Sequence, residues 1–360
     1  LISFELNQEQ ELARSTAREF ASALLRPAAR EADEAGRIPQ SILEQLWSLG
    51  IIQNQADAGG ANSSPILNAL ILEELAAGDA SFAMAAAATM GFVSAIASQG
   101  SPAQKKTLLP LFASDEFRFA AVAIMEPGFA FDAARIAATA TRTAGGYRLS
   151  GVKSMVPMGA RCSHFLVVAR CDGRLDAFVV DRNAAGVSVG EKKPALGLRA
   201  LEPATVTLRD VPLSESDRLG ESDGCEVQRM VDSARAALSA VMTGTGRAVM
   251  DFVIPYLKQR VVHGAPLAQK QVIAFRLADM KIEVEAMRWM TWKAASMLEK
   301  RGDATRQAQL AFSYAGEQAM WISDEGVQML GGHGYLRDNP VEMWYRDVRT
   351  VSTLEGAAGI

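Results

Sequence analysis

Residues 82–97 read FAMAAAATMGFVSAIA, the longest apolar stretch in the chain. Its reading decides between a membrane anchor and an internal helix. The stretch is shorter than the ~20 residues a bilayer needs, and Thr89, Gly91 and Ser94 dilute it. A buried, tightly packed helix is the expectation, and with it a globular protein built around helices.

The surrounding sequence supports this. From LNQEQELARSTAREFASALL (6–25) to about residue 115, apolar residues recur at three- and four-residue spacing, the period of amphipathic helices. Breaks fall at AGRIPQ (35–40) and ADAGGANSSP (56–65). Gly50 ends one helix, and NSSP (62–65) has the form of an N-terminal cap followed by proline. Between 116 and 220 the texture changes to short β-rich pieces, FRFAAVAI, RIAATATR, YRLSG, HFLVVAR, LDAFVVD and ATVTLRDV, with turns at TAGG, CDG and RNAAG. Such spacing predicts a compact antiparallel domain, with one hairpin around TAGG (143–146) and another around CDG (171–173). After 221 the helical period returns. Ile273, Leu277, Met280, Val284 and Met287 trace one stripe of a helix running past Trp292, and a second helix from about Ala304 to Leu330 stops at GGHGY (331–335), whose glycines accept left-handed dihedrals.

The expected class is therefore α+β, mainly α, with an N-terminal helical domain over 1–115, a central antiparallel, barrel-like β domain over 116–220, and a C-terminal four-helix bundle over 221–360. A chain of 360 residues exceeds one hydrophobic core, in keeping with several packed units. At 49% hydrophobic and 22% charged it has a globular composition. A net charge of −4 without blocks of like charge gives no support to nucleic-acid binding or polybasic membrane attachment. Three scattered cysteines, Cys162, Cys171 and Cys225, do not make a disulfide framework or a zinc site, and a reduced, cytoplasmic setting is expected. With three histidines in all, and His333 reading as a loop residue, no metal is assigned. The 15 methionines are read first as core packing.

The chain closes on TVSTLEGAAGI (350–360), in which Glu355 is the only charged residue. Small and apolar neighbours solvate a carboxylate poorly, so its pKa is expected to rise, which suits a general base.

The order of these segments resembles the acyl-CoA dehydrogenases. The resemblance covers essentially the whole chain and rests on MEPG (125–128), SGVK (150–153), LGLRALEPATVTLRDVPL (196–213), RVVHGAPLAQKQ (260–271), QMLGGHGY (328–335), RDVR (346–349) and LEG (354–356). Each motif alone is weak, and their order and spacing together are strong. The resemblance implies a cofactor, FAD, an acyl thioester substrate on CoA or a carrier protein, and a helix beyond Ile360. It implies an electron-transfer flavoprotein or another acceptor as partner, and a homotetramer or a mixed tetramer with a homologous subunit. Glu355 matches the base of a Y-E-G-T motif, which removes the α-proton while the β-hydrogen leaves as hydride to flavin N5. Some relatives carry the base one residue before an arginine on a C-terminal helix, and here that position is Ala234, ahead of Arg235. Arg260 is expected on the FAD pyrophosphate, where guanidinium suits phosphate, with Gln271, Gln328, Gly331 and Gly332 at partner positions across a subunit interface. His263 replaces a usual phenylalanine. Met125, Phe131, Met155, Val156, Pro157 and Ala357 fall on flavin positions; Phe131, Asp232, Arg235 and Gly356 fall on substrate positions.

The flavin-ring motifs depart from the family. MEPGFAFD stands for T-E-P-G-A-G-S-D, so Met125, Phe129 and Phe131 replace Thr, Ala and Ser. KSMVPMG stands for K-x-W-I-T-N-G, with Met155 for Trp and Pro157 for Thr. Proline offers neither hydroxyl nor N–H, and losing donors near the ring lowers its ability to accept hydride. Two readings follow. The chain is an active dehydrogenase, or it is a non-catalytic or half-site subunit that donates a nucleotide edge to a mixed tetramer and keeps Glu355 as a relic. A flavin oxidase or monooxygenase on the same fold is a lesser alternative.

Overall fold

The computed structural model describes residues 5–128 and 131–360. The chain opens with α1 (Gln8–Phe20), whose capping box pairs Asn7 with Gln10. A π-helical turn, Ala21–Leu25, joins α1 to α2 (Arg26–Ala35). Then come α3 (Gln40–Ser48), α4 (Ile51–Ala56), α5 (Pro65–Gly78), α6 (Ala80–Gln99), α7 (Pro102–Leu108) and α8 (Pro110–Ala113). Gly50 separates α3 from α4 at φ 73°. Ser64 caps α5 by accepting from Leu67 N–H, with Pro65 in its first turn. Residues 82–97 lie on α6 and are buried throughout. Asp79 caps this helix by accepting from Ser81 and Phe82 N–H.

The central block contains β1 (Phe119–Ala123), β2 (Thr139–Thr143), β3 (Gly146–Val156), β4 (Cys162–Cys171), β5 (Arg174–Asp181), β6 (Val187–Lys192) and β7 (Ala204–Leu213). They form one sheet in the order β1-β4-β2-β3-β7-β6, with β5 also on β4. Both expected hairpins are present, β2 with β3 and β4 with β5. The sheet is mixed: β1 runs parallel to β4, and β2 meets β4 in a short parallel pairing. A parallel neighbour needs a long crossover. Here the β2–β3 hairpin lies between β1 and β4 in sequence, and local strand spacing carries no record of that pairing.

The C-terminal block consists of α9 (Val227–Gln259), a small hairpin of β8 (Val261–Val262) and β9 (Ala265–Pro266), α10 (Gln271–Glu299), α11 (Thr305–Leu330) and α12 (Val341–Val351). Met280, Val284 and Met287 bury the expected stripe of α10. Helix α9 packs against α5, α10 and α11. At Gly244 the backbone of α9 lies so close to α5 that a Cβ would meet Glu73 O at 2.1 Å. Buried charges join the same helices. Arg288 of α10 grips Glu73 with Nε 2.9 Å and Nη2 2.8 Å from Oε1, and Arg14, Arg18 and Arg247 converge on Glu74. Their combined hydrogen bonds outweigh burial and hold the Glu74 carboxyl down at about 2.

Candidate active site

Helix α12 delivers its following turn to the junction of all three blocks. Leu354, Ala357 and Ala358 are buried there. Gly356 takes φ 79°, and a Cβ on it would meet Ile124 Cβ at 2.9 Å, so this turn needs a residue without a side chain. The turn therefore fixes Glu355 beside the end of β1.

The Glu355 carboxylate is not enclosed by small apolar groups alone, as the sequence suggested. Arg235, from the first half of α9, donates from Nε to Oε1 at 2.7 Å and from Nη2 to the same oxygen. The side chains are 14% and 21% exposed, so the pair is shielded but reachable. Arg235 Nη1 also lies 3.8 Å from Asp232 Oδ1, and Asp232 accepts from Gln228 and from Thr305 Oγ1 at 2.8 and 2.9 Å. Asp232 thus holds the arginine, and the arginine holds the glutamate. Ala234 is wholly buried and contributes no acid.

Next to this pair lie the positions of the β domain expected at the flavin ring. Ser154 N–H donates to Met125 O at 2.8 Å, which lays MEPG beside the end of β3. Met155 is half-buried with φ 54°, while Val156 and Pro157 are buried. Phe131 is half-buried against the core; Phe129 lies outside the described residues. Sequence reasoning missed the fastening beneath. Lys153 Nζ, fully buried, donates to Glu126 Oε1 at 2.8 Å and to Ile124 O at 3.2 Å. Glu126 also accepts from Ala137 and Ala138 N–H at 2.7 and 2.9 Å. Burial pushes Lys153 down to about 8. Burial also opposes the Glu126 charge, but Lys153 and the two N–H groups outweigh it and leave that carboxyl below its ordinary value. A signal was present, since each motif places one charge in an apolar setting.

The remaining positions gather at the other end of the bundle. Arg260 follows α9 and is exposed. His263, at φ 51°, and Gly264, at φ 75°, form the two-residue turn of the β8–β9 hairpin, which needs left-handed backbone at both places. Gln271 begins α10; Gln328 and Gly331 end α11. Ion pairing of Arg276 with Glu325 and a 2.8 Å Tyr256 Oη to His333 Nδ1 contact fasten these ends together. Gly331 and Gly332 are exposed, and a Cβ on either would meet nothing within 4 Å. Their backbone is open to a ligand.

The two sets are separate within one chain. From Arg235 to Arg260 is 25 residues of sequence, about 37 Å along a helix, further than a single dinucleotide cofactor reaches. The residues nevertheless suit FAD in kind. One end offers an exposed arginine, two glutamines and open glycine backbone for phosphates, and the other offers an apolar ledge of Met125, Met155 and Pro157 for a ring, without side-chain hydroxyls.

The sequence matches the model of the acyl-CoA dehydrogenase N-terminal domain over residues 7–116, the middle domain over 121–211 and the C-terminal domain over 224–360. It is 30% identical to the short-chain specific acyl-CoA dehydrogenase of Bos taurus mitochondria, covering 99% of this chain and 89% of that protein. It is 28% identical to the caffeyl-CoA reductase-Etf complex subunit CarC of Acetobacterium woodii, covering 98% and 96%. The butyryl-CoA dehydrogenase structure from Megasphaera elsdenii superposes with a TM-score of 0.90 at 29% identity, covering 99% of this chain and 96% of that one. The chain belongs to the acyl-CoA dehydrogenase family, flavin oxidoreductases that act on CH–CH bonds.

Proposed function

We propose that the chain catalyses α,β-dehydrogenation of an acyl thioester, with Glu355 as the base. The observation that carries this reading is the convergence of the Glu355–Arg235 pair with the MEPG and KSMVP segments around Ile124. Glu355 takes the α-proton on Oε2, the oxygen that Arg235 does not occupy, while Arg235 holds Oε1 in place through two N–H groups. FAD, when bound against Met125, Met155 and Pro157, would supply the acceptor for the β-hydrogen as hydride. Met155 and buried Pro157 keep water from that face, and Phe131, Asp232 and Gly356 border the acyl group. Arg260, Gln271, Gln328, Gly331 and Gly332 hold the nucleotide end of a cofactor belonging to a second subunit. The long separation along α9 supports this reading, and with it a homotetramer or mixed tetramer. An electron-transfer flavoprotein is the proposed acceptor.

A second reading, in which this chain is the half-site partner in a mixed tetramer, is favoured by Pro157 and Ala357, which remove hydrogen-bond donors from the ring side. An absorbance spectrum of the purified chain followed by anaerobic titration with a panel of acyl-CoAs decides between them. The active enzyme is yellow and bleaches with one of the thioesters. A colourless protein, or one that no thioester reduces, contradicts the first reading.

A further inference from the structure

A cavity of about 490 Å³ opens between α1, α2, α5 and α9, bordered by Arg18, Arg26, Glu74, Arg247, Asp251 and Phe252. Three guanidiniums face two carboxylates here, and the carboxylates are not equal. Glu74 is consumed by Arg14, Arg18 and Arg247. Asp251 is 70% exposed and stands 3.9 Å from Arg247 Nε.

Arg26 is left without an acid. Among the described residues it makes no ion pair within 4.0 Å. Its guanidinium donates to Ala77 O at the C-terminal end of α5 and lies 4.4 Å from the centre of the Trp344 ring. Its Nε and that of Arg247 are both buried without a hydrogen-bond partner. Burial, the largest cause, pushes Arg26 down to about 10; Asp79 and Asp251 oppose this, and the nearby Arg247 adds to it. Arg247 already has Glu74 at 2.5 Å, so the charge left unshared in this shielded place is that of Arg26, which is costly unless an anion joins it. The helix end and the aromatic ring explain why Arg26 is tolerated. They do not supply the missing charge.

We propose that this cavity binds a small oxyanion, a phosphate or an aliphatic carboxylate, which accepts from Arg26 and Arg247 while its remainder lies against Ala21, Ala248 and Phe252. Planar guanidinium forks match such oxygens. None of the bordering residues belongs to the sets around Glu355 or Arg260, so the site is independent of the proposed reaction.

The test is the melting temperature of the full-length, flavin-loaded protein, titrated with inorganic phosphate or sodium butyrate at constant ionic strength set by sodium chloride, beside an Arg26→Met variant that keeps the stem over Trp344. Saturable stabilisation of the wild type, weakened at least tenfold in apparent affinity by Arg26→Met, is the expected result. Response to phosphate alone, butyrate alone or both identifies the oxyanion accepted, and each supports the site. If Arg26→Met does not fold, Arg26→Lys, which keeps the charge but not the guanidinium fork, takes its place with a smaller weakening expected. No saturable response to either anion, or an equal response in wild type and variant, overturns the proposal.

Discussion

Arg235 Nε lies 2.7 Å from Glu355 Oε1 across 120 residues of sequence. The contact ties the first half of α9 to the turn after α12, so the orientation of the proposed base depends on an arginine remote from it in sequence. Charge-assisted bonds of this kind are worth roughly 1.5–3 kcal/mol. Replacing Arg235 by Met should therefore slow flavin reduction by about 10- to 100-fold with little change in thioester binding. Stopped-flow reduction together with equilibrium titration checks this. Arg235→Lys should recover only part of the rate, because an ammonium cannot reproduce two N–H groups on one oxygen.

Arg260 should govern cofactor retention and not the chemical step. Arg260→Ala removes a charge-assisted partner worth roughly 1.5–3 kcal/mol, so FAD affinity should fall about 10- to 100-fold. Flavin content after extended dialysis measures it. Unchanged retention removes Arg260 from the nucleotide end.

The buried Lys153–Glu126 pair offers a stability test. Glu126→Gln leaves Lys153 without its countercharge in a fully buried position, and breaking such pairs costs about 3–5 kcal/mol. Urea unfolding of Glu126→Gln should show a loss of this order, and the double variant with Lys153→Met should recover most of it. Equal losses in the single and double variants would mean that the pair is not the fastening inferred here.

Asp79 makes stability depend on pH. Burial, the largest cause, pushes this carboxyl up to about 6, against the pull of Phe82 and Ser81 N–H and of Arg26, and Asp33 adds to the rise. A carboxyl raised in the folded state contributes stability that is fully present below its unfolded value near 3.8 and is lost as pH rises through about 6. Asp79→Asn keeps an N-cap acceptor without that titration. Its melting temperature relative to wild type should accordingly rise between pH 4 and 7. A flat difference across that range contradicts the assignment.

Local features were legible in the sequence. The cap at Ser64, the helix end at Gly50, the hairpins around TAGG and CDG and the buried run on α6 all rest on residues within a few positions of one another. Contacts between distant segments were not. The parallel pairing of β1 with β4, the Arg288–Glu73 contact and the Arg235–Glu355 pair join segments whose proximity depends on the whole fold. Glu355 stood out as a lone carboxylate because its partner is remote in sequence. The pairing of Arg235, read as a substrate position, with Glu355 was hidden for the same reason. The π-helical turn at Ala21–Leu25 left no mark in the apolar spacing, which runs through it without a break.

The most direct test of the proposed function is the rate of flavin reduction by a bound acyl-CoA in Glu355→Gln. Gln keeps the shape and a hydrogen-bond acceptor for Arg235 but has no proton affinity, so the thioester should still bind while reduction slows by roughly 10² to 10⁴-fold. Stopped-flow bleaching is to be followed in the isolated homo-oligomer and again with any co-purifying homologue. Unchanged reduction in the isolated homo-oligomer would contradict the role given to Glu355. Unchanged activity of a mixed complex alone would place the working base on the other subunit.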